Sequence, residues 1–99
     1  KKLTKRDDLG TKRADIYNLL GFSYRKLENP DLDKSFAAYM MAIEIDSSHL
    51  GAHEYLGELY LMRDQKDKAL FMLEKIEQLS GSNTEEYKDL KNAIDEYQS

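Results

Sequence analysis

The chain has 99 residues, 34 % charged and 40 % hydrophobic, with one proline and no cysteine or tryptophan. That bounds it to one small domain with a modest core, too apolar for a disordered chain, and excludes disulfides and thiolate zinc sites. No run approaches the roughly 18 apolar residues of a membrane span, and no cofactor is implied.

The net charge of −4 is unevenly spread: residues 1–13 carry six Lys/Arg and two Asp, while residues 14–99 carry nine Lys/Arg and seventeen Asp/Glu. An acidic body disfavours nucleic-acid backbones, which bind through phosphate neutralisation. The basic leader "KKLTKRDDLGTKR", Lys1 to Arg13, reads as a solvated tail: the end of an earlier helix followed by a loop. With no initiator methionine and no signal-peptide pattern, the chain reads as a trimmed or processed piece of something longer.

Apolar spacing predicts a first helix from about Asp15 to Leu27, with Tyr17, Leu20, Tyr24 and Leu27 along one stripe. Pro30 ends it and Asp31 caps the next helix, about Leu32 to Ile45, which buries Phe36, Tyr39, Met40 and Ile43. "DSSH" is a turn capped by Ser47 or Ser48, and helices follow over about Leu50 to Arg63 and Asp67 to Leu79. Ser82 and Glu85 fit a capping box ahead of a last helix, about Thr84 to Tyr97.

The stretch "YNLLGFSYRKL" (Tyr17 to Leu27) returns 36 residues later as "HEYLGELYLMR" (His53 to Arg63). Tyr17, Leu20, Gly21 and Tyr24 are answered by His53, Leu56, Gly57 and Tyr60. "SFAAYMMAIEID" is answered by "ALFMLEKIEQLS", Ser35 matching Ala69, Tyr39 matching Leu73, Ala42 matching Ile76 and Ile45 matching Leu79. A glycine inside a helix costs about 1 kcal/mol against alanine, so Gly21 and Gly57 imply close backbone approach to the second helix of each pair.

The pattern resembles the tetratricopeptide repeat, a helix–turn–helix unit with a W-x2-L-G-x2-Y…A-x3-F…P signature. Tyr17 and His53 stand in the tryptophan positions, Ser47 and Gly81 replace the closing proline, and the turn "LENPDLD" is longer than usual. The resemblance implies an all-α solenoid of helical hairpins: leader 1–13, repeats 14–49 and 50–83, and a capping helix 84–99. "NLLGFSYRKL", "EYLGELYL" and "EEYKDLKNAI" are also similar to short bacterial members, which often have a secretion signal and one more hairpin upstream. Some of these have a cysteine pair where this chain has "SGSNT", which leaves periplasm and cytoplasm both open.

His49 and His53 lie four apart, as metal ligands on a helix do, but His53 falls on the buried aromatic position and His49 in a turn. Glu54 and Glu58 share that spacing. They fit a solvated acidic face or a peptide contact, since no nucleophile or further calcium ligands accompany them.

The family's concave groove, carried over residue by residue, holds Asp15, Asn18, Phe22, Arg25 and Lys26 from the first helix. It takes Glu54, Glu58, Leu61 and Met62 from the third, and Glu85, Lys88 and Asn92 from the last. The carboxylate-clamp positions carry Asn18, Phe22, Tyr55, Glu85 and Asp89 here, which disfavours an acidic terminus. The expectation is a non-catalytic protein-interaction module taking a neutral or basic peptide, anchored by Phe22, Leu61 and Met62. The alternative is a module that forms homodimers or larger assemblies through the uncovered face of its first helix.

Overall fold

The computed structural model describes residues 2–97, with side chains from residue 9 onward. Its elements are α1 (Lys2–Arg25), α2 (Leu32–Ile45), α3 (Leu50–Met62), α4 (Lys66–Ser80) and α5 (Glu85–Glu96), with no strand among the described residues. The chain divides into two compact units whose boundary falls inside α3, after Ala52.

In the first unit, α1 corrects the expected leader: residues placed in a loop before Asp15 belong to one continuous helix. Nothing in "KLTKRDDLG" breaks a helix, and a Cβ on Gly10 would meet nothing within 4 Å. The Thr11 hydroxyl reaches Asp46 Oδ2 at 3.5 Å, tying α1 to the end of α2. At its other end α1 stops at Arg25, two residues short of the expected Leu27. The chain then turns, and the Asp31 N–H donates to the Tyr24 carbonyl at 3.1 Å. Asp31 caps α2 as expected, its carboxylate accepting from the Lys34 N–H at 3.0 Å.

The α1–α2 contact is built on small residues. A Cβ on Gly21 would lie 2.6 Å from the ring of Tyr39, which is fully buried. The Ser35 hydroxyl donates to the Gly21 carbonyl at 2.6 Å, so the two backbones are joined where they come closest. Ala14, Ala42 and Ala52 form an adjoining buried cluster, with Tyr17, Ile43 and Ile45 packed around it. The buried stripe of α2 is Ser35, Ala38, Tyr39 and Ala42. Met40, expected inside, is therefore turned outward, and Phe36 and Ile43 are only partly covered. Leu20 and Leu27, also expected on the core stripe, are exposed.

The turn after α2 corrects a second expectation. Neither Ser47 nor Ser48 caps α3; the Ser48 N–H and hydroxyl both donate to Asp46 Oδ1, at 3.1 and 2.9 Å. His49 caps instead, its Nδ1 accepting from the Ala52 N–H at 3.0 Å. An accepting Nδ1 places the ring proton on Nε2, which donates to Asp15 Oδ1 at 2.5 Å. The imidazole thus ties the start of α3 to α1.

In the second unit, Leu56 and Leu59 of α3, Ala69, Met72 and Ile76 of α4, and Leu90 and Ile94 of α5 make the core. Leu79 is exposed in the last turn of α4. Gly57 has a different neighbour from the one expected. A Cβ there would meet Leu90 Cδ2 of α5 at 2.7 Å, so the glycine admits α5, where the sequence pattern pointed to the second helix of its own pair.

α3 ends in a Schellman-type reversal: the Gln65 N–H donates to the Tyr60 carbonyl at 2.8 Å and the Asp64 N–H to the Leu61 carbonyl at 3.0 Å. Asp64 occupies the left-handed position, φ 65°, normally taken by glycine. Thr84 caps α5, accepting from the Tyr87 N–H at 3.2 Å. This replaces the expected Ser82–Glu85 capping box, because the helix starts two residues later than that pairing requires.

Two substitutions test this packing by chemical denaturation. Gly21→Ala lowers stability by about 1–2 kcal/mol net, the clash with a buried ring outweighing the gain in helix propensity. Asp64→Gly raises stability by about 0.5 kcal/mol through relief of left-handed strain. A stabilised Gly21→Ala chain contradicts the packing role of the glycine.

Candidate functional site

One helix face in the second unit concentrates carboxyl groups. Glu54 and Glu58 are one turn apart on α3, and Leu61 and Met62 follow on the same stripe one turn further. Gly57, between the two glutamates, lets Leu90 of α5 close on α3, and that approach brings up Glu86 and Asp89 from α5.

Glu54 is not part of a solvated acidic face, as its sequence context allowed. Only 8 % of it is exposed, while Glu58 is half-buried. Burial is the main cause that pushes the Glu54 carboxyl up from 4.5 to about 8. A hydrogen bond from the protonated carboxyl to Glu58 adds to this, and so do the charges of Glu58, Asp89 and Glu86. The folded state therefore favours the protonated form of Glu54.

The apolar companions differ in accessibility. Met62 is exposed and Leu61 is half-buried, so a ligand on this face meets a thioether beside carboxyls. Glu85, Lys88 and Asn92, the α5 residues carried over from the family groove, are exposed. Glu86, which the repeat pattern does not single out, is half-buried and faces Glu54. Its position one turn before Leu90 is the available signal, because residues at that spacing share a helix face.

In the first unit α1 carries the other expected groove residues. The half-buried Phe22 ring lies 5.5 Å from the Arg25 guanidinium carbon and 5.4 Å from Lys26 Nζ, at cation–π range. Arg25 itself is buried, its long side chain laid along the protein. Asn18 is half-buried, and a Cβ on Gly51 would lie 3.1 Å from its Nδ2. Asn18 Oδ1 is buried with no hydrogen-bond partner among the described residues. Asp15, another groove position, is exposed and engaged by His49.

The histidine pair has two separate jobs: His49 caps α3, and His53 is buried in the position the repeat reserves for an aromatic. Among the described residues, no group of three or more His, Cys, Asp or Glu side chains is placed to hold a metal ion. The motif residues Leu56 and Ala69 are buried; Tyr17, Tyr24 and Tyr60 are partly so. Burial pushes the Tyr60 phenol up, opposed by Arg63. Among the described residues no helix is long and apolar enough to cross a membrane.

No family model matches the chain, and no solved structure does. Among curated proteins it is similar to an uncharacterised protein, ycf37, of Porphyra purpurea, at 36 % identity over 72 residues. The match takes in 71 % of this chain and 39 % of that protein, so the chain spans about two-fifths of its relative.

The proton on Glu54 has a measurable consequence. Its folded-state value lies above its unfolded one, so the folded state keeps a proton that the unfolded state has lost. Stability contributed by this group is complete below about 4.5 and declines as pH rises toward about 8. Glu54→Gln keeps the shape and cannot ionise, so it gains little at pH 5. At pH 8 it gains clearly more than at pH 5, because the folded wild-type chain must then give up a proton it favours. Thermal denaturation at both pH values measures this; equal effects at pH 5 and pH 8 contradict the buried-proton assignment.

Proposed function

We propose that the chain is a non-catalytic interaction module of the tetratricopeptide type, which captures a neutral or basic peptide segment on the carboxyl-rich face of α3 and α5. The observation that carries this reading is Glu54, a buried carboxyl held beside three other carboxyl-bearing residues. Such a group is costly in isolation and becomes favourable when a cation arrives. A lysine or arginine of the partner displaces the proton, and the released carboxylate becomes a charge-assisted acceptor. Met62 and Leu61 supply apolar surface one turn away for a neighbouring side chain.

The internal repeat supports the module reading from a second direction. Its matched positions serve packing: Gly21 and Gly57 admit helices, while Leu56 and Ala69 are buried. The groups that raise the Glu54 carboxyl are burial and other carboxyls, with no nucleophile among them, so the pair is read as a cation acceptor. On α1, Asn18, Phe22 and Arg25 remain the proposed contacts of the first unit. The Phe22 ring and its two cations there suit an aromatic or carbonyl-rich stretch of peptide.

Fluorescence polarisation with labelled decapeptides tests the proposal. A peptide carrying Lys or Arg among apolar residues is expected to bind at least tenfold more tightly than its Asp/Glu counterpart. Its affinity should rise between pH 6 and pH 8, as Glu54 gives up its proton. Glu58→Lys should remove the preference. Equal binding of the two peptides, or affinity that falls as pH rises, contradicts the cation-acceptor role.

A further inference from the structure

In the second unit two separately capped helices meet at a short link that contains a glycine. α4 closes on Gly81, whose N–H donates to the Glu77 carbonyl at 2.8 Å. α5 opens on Thr84, whose hydroxyl accepts from the Tyr87 N–H at 3.2 Å. Between these caps lie Ser82 and Asn83, both exposed. Gly81 sits at φ 85° and ψ −169°, a region that only glycine enters freely, and a Cβ there would meet nothing within 4 Å. Each helix completes its own terminal hydrogen bond, so α5 can turn about this link without unravelling α4.

Few side chains hold α5 in place. Leu90 and Ile94 are its buried residues, with Tyr87 and Ala93 partly covered. Leu90 enters the gap that Gly57 leaves on α3. Glu54, only 8 % exposed, stands one turn before that glycine, and Glu58 directly follows it. The contact that seats α5 therefore gathers the carboxyls of Glu58, Glu86 and Asp89 around Glu54.

We propose that α5 is a pH-sensitive latch, docked against α3 while Glu54 carries a proton and released about Gly81 when that proton is lost. The latch needs no bound peptide and is independent of peptide capture.

The charges that act on Glu54 are those of Glu58 on its own helix and of Asp89 and Glu86 on α5, all of one sign. α4 buries only uncharged side chains, Ala69, Met72 and Ile76. The cations of α5 are exposed: Lys88, and Lys91 whose Nζ lies 3.1 Å from Asp95 Oδ2. Burial first, and then the neighbouring carboxyls, raises Glu54 from 4.5 to about 8. With its proton in place Glu54 is neutral and bonded to Glu58. Without it, carboxylates of α3 oppose those of α5 beside the Leu90 contact, and withdrawal of α5 brings water to them. In the undocked state Glu54 returns toward an ordinary carboxyl value, so docking takes up a proton as pH rises. Docking is thus most favoured below about 4.5, weakens as pH rises toward about 8, and levels off above it. A segment held by two buried side chains is the kind that opens ahead of its unit.

Amide hydrogen exchange resolved by segment tests the latch. The unsubstituted chain and Glu54→Gln are compared at the same pH, so the intrinsic pH dependence of exchange cancels. At pH 5 residues 85–96 should exchange alike in the two chains. At pH 8 they should open on the order of threefold or more above Glu54→Gln in the unsubstituted chain, while residues 66–80 of α4 stay alike. Glu86→Gln with Asp89→Asn keeps Glu54 and removes the opposing charge, so it should lower α5 exchange at pH 8 below that of the unsubstituted chain. That comparison decides the matter if Glu54→Gln does not fold. Equal α5 exchange in every chain at pH 8, or an excess shared equally by α4, overturns the latch. If basic peptides bind as proposed above while α5 shows no such excess, capture stands and the latch falls. The excess in a chain that discriminates neither peptide supports the latch and removes the capture reading.

Discussion

The close approach of α1 and α2 at Gly21 is the constraint on which the first unit depends. A ring packed where a Cβ would be fixes both the separation of the helices and their rotation about their axes. With Tyr39 seated on Gly21 and Ser35 bonded to its carbonyl, α2 must turn Ser35, Ala38, Tyr39 and Ala42 inward. The alanine cluster of Ala14, Ala42 and Ala52 follows from the same approach, since only small residues fit where backbones are near. The exposed face follows as well: inward Tyr39 places Met41 and Ala37 outside, beside Leu20. Gly57 has a related role in the second unit, where it lets Leu90 bring its helix, and two carboxyl groups, against α3.

Much of this is legible in the sequence. Five apolar-periodic stretches correspond to five helices, and α2 agrees with its expected bounds because both of its ends carry strong signals, Pro30 with Asp31 before it and a polar turn after it. The leader misleads because its charge suggests a solvated tail, while helix formation depends on the absence of breakers as much as on apolar spacing. The caps mislead where two residue types compete. Serine is a stronger prior than histidine at a helix start, but His49 gains a second bond to Asp15 that depends on the tertiary fold.

Burial is less legible than helix position. Periodicity assigns a face to each residue and does not say whether anything covers that face. Leu20 and Leu56 have the same sequence context, yet one is exposed and the other buried. Glu54 shows the converse. Its charge and its Glu58 neighbour point outward in the sequence pattern, whereas its placement near Gly57 subjects it to the approach of α5, an interaction encoded about 30 residues away. The candidate site is therefore visible in the sequence as a set of α3 residues, and its chemistry becomes visible only with Glu86 and Asp89 in place.

Both unusual features of the molecule run against stability in an isolated chain. A 99-residue chain has a small margin, and an uncovered leucine–methionine face forgoes burial at about 25 cal/mol per Å². A buried carboxyl that favours its protonated form adds a second cost, which grows as pH rises. Neither feature is needed to form the helices, since polar residues at positions 20 and 41 and glutamine at 54 satisfy the same periodicity. Each cost falls when a suitable group arrives: apolar side chains at the α1–α2 face, a cation at Glu54. On the proposed reading, association is what offsets such costs.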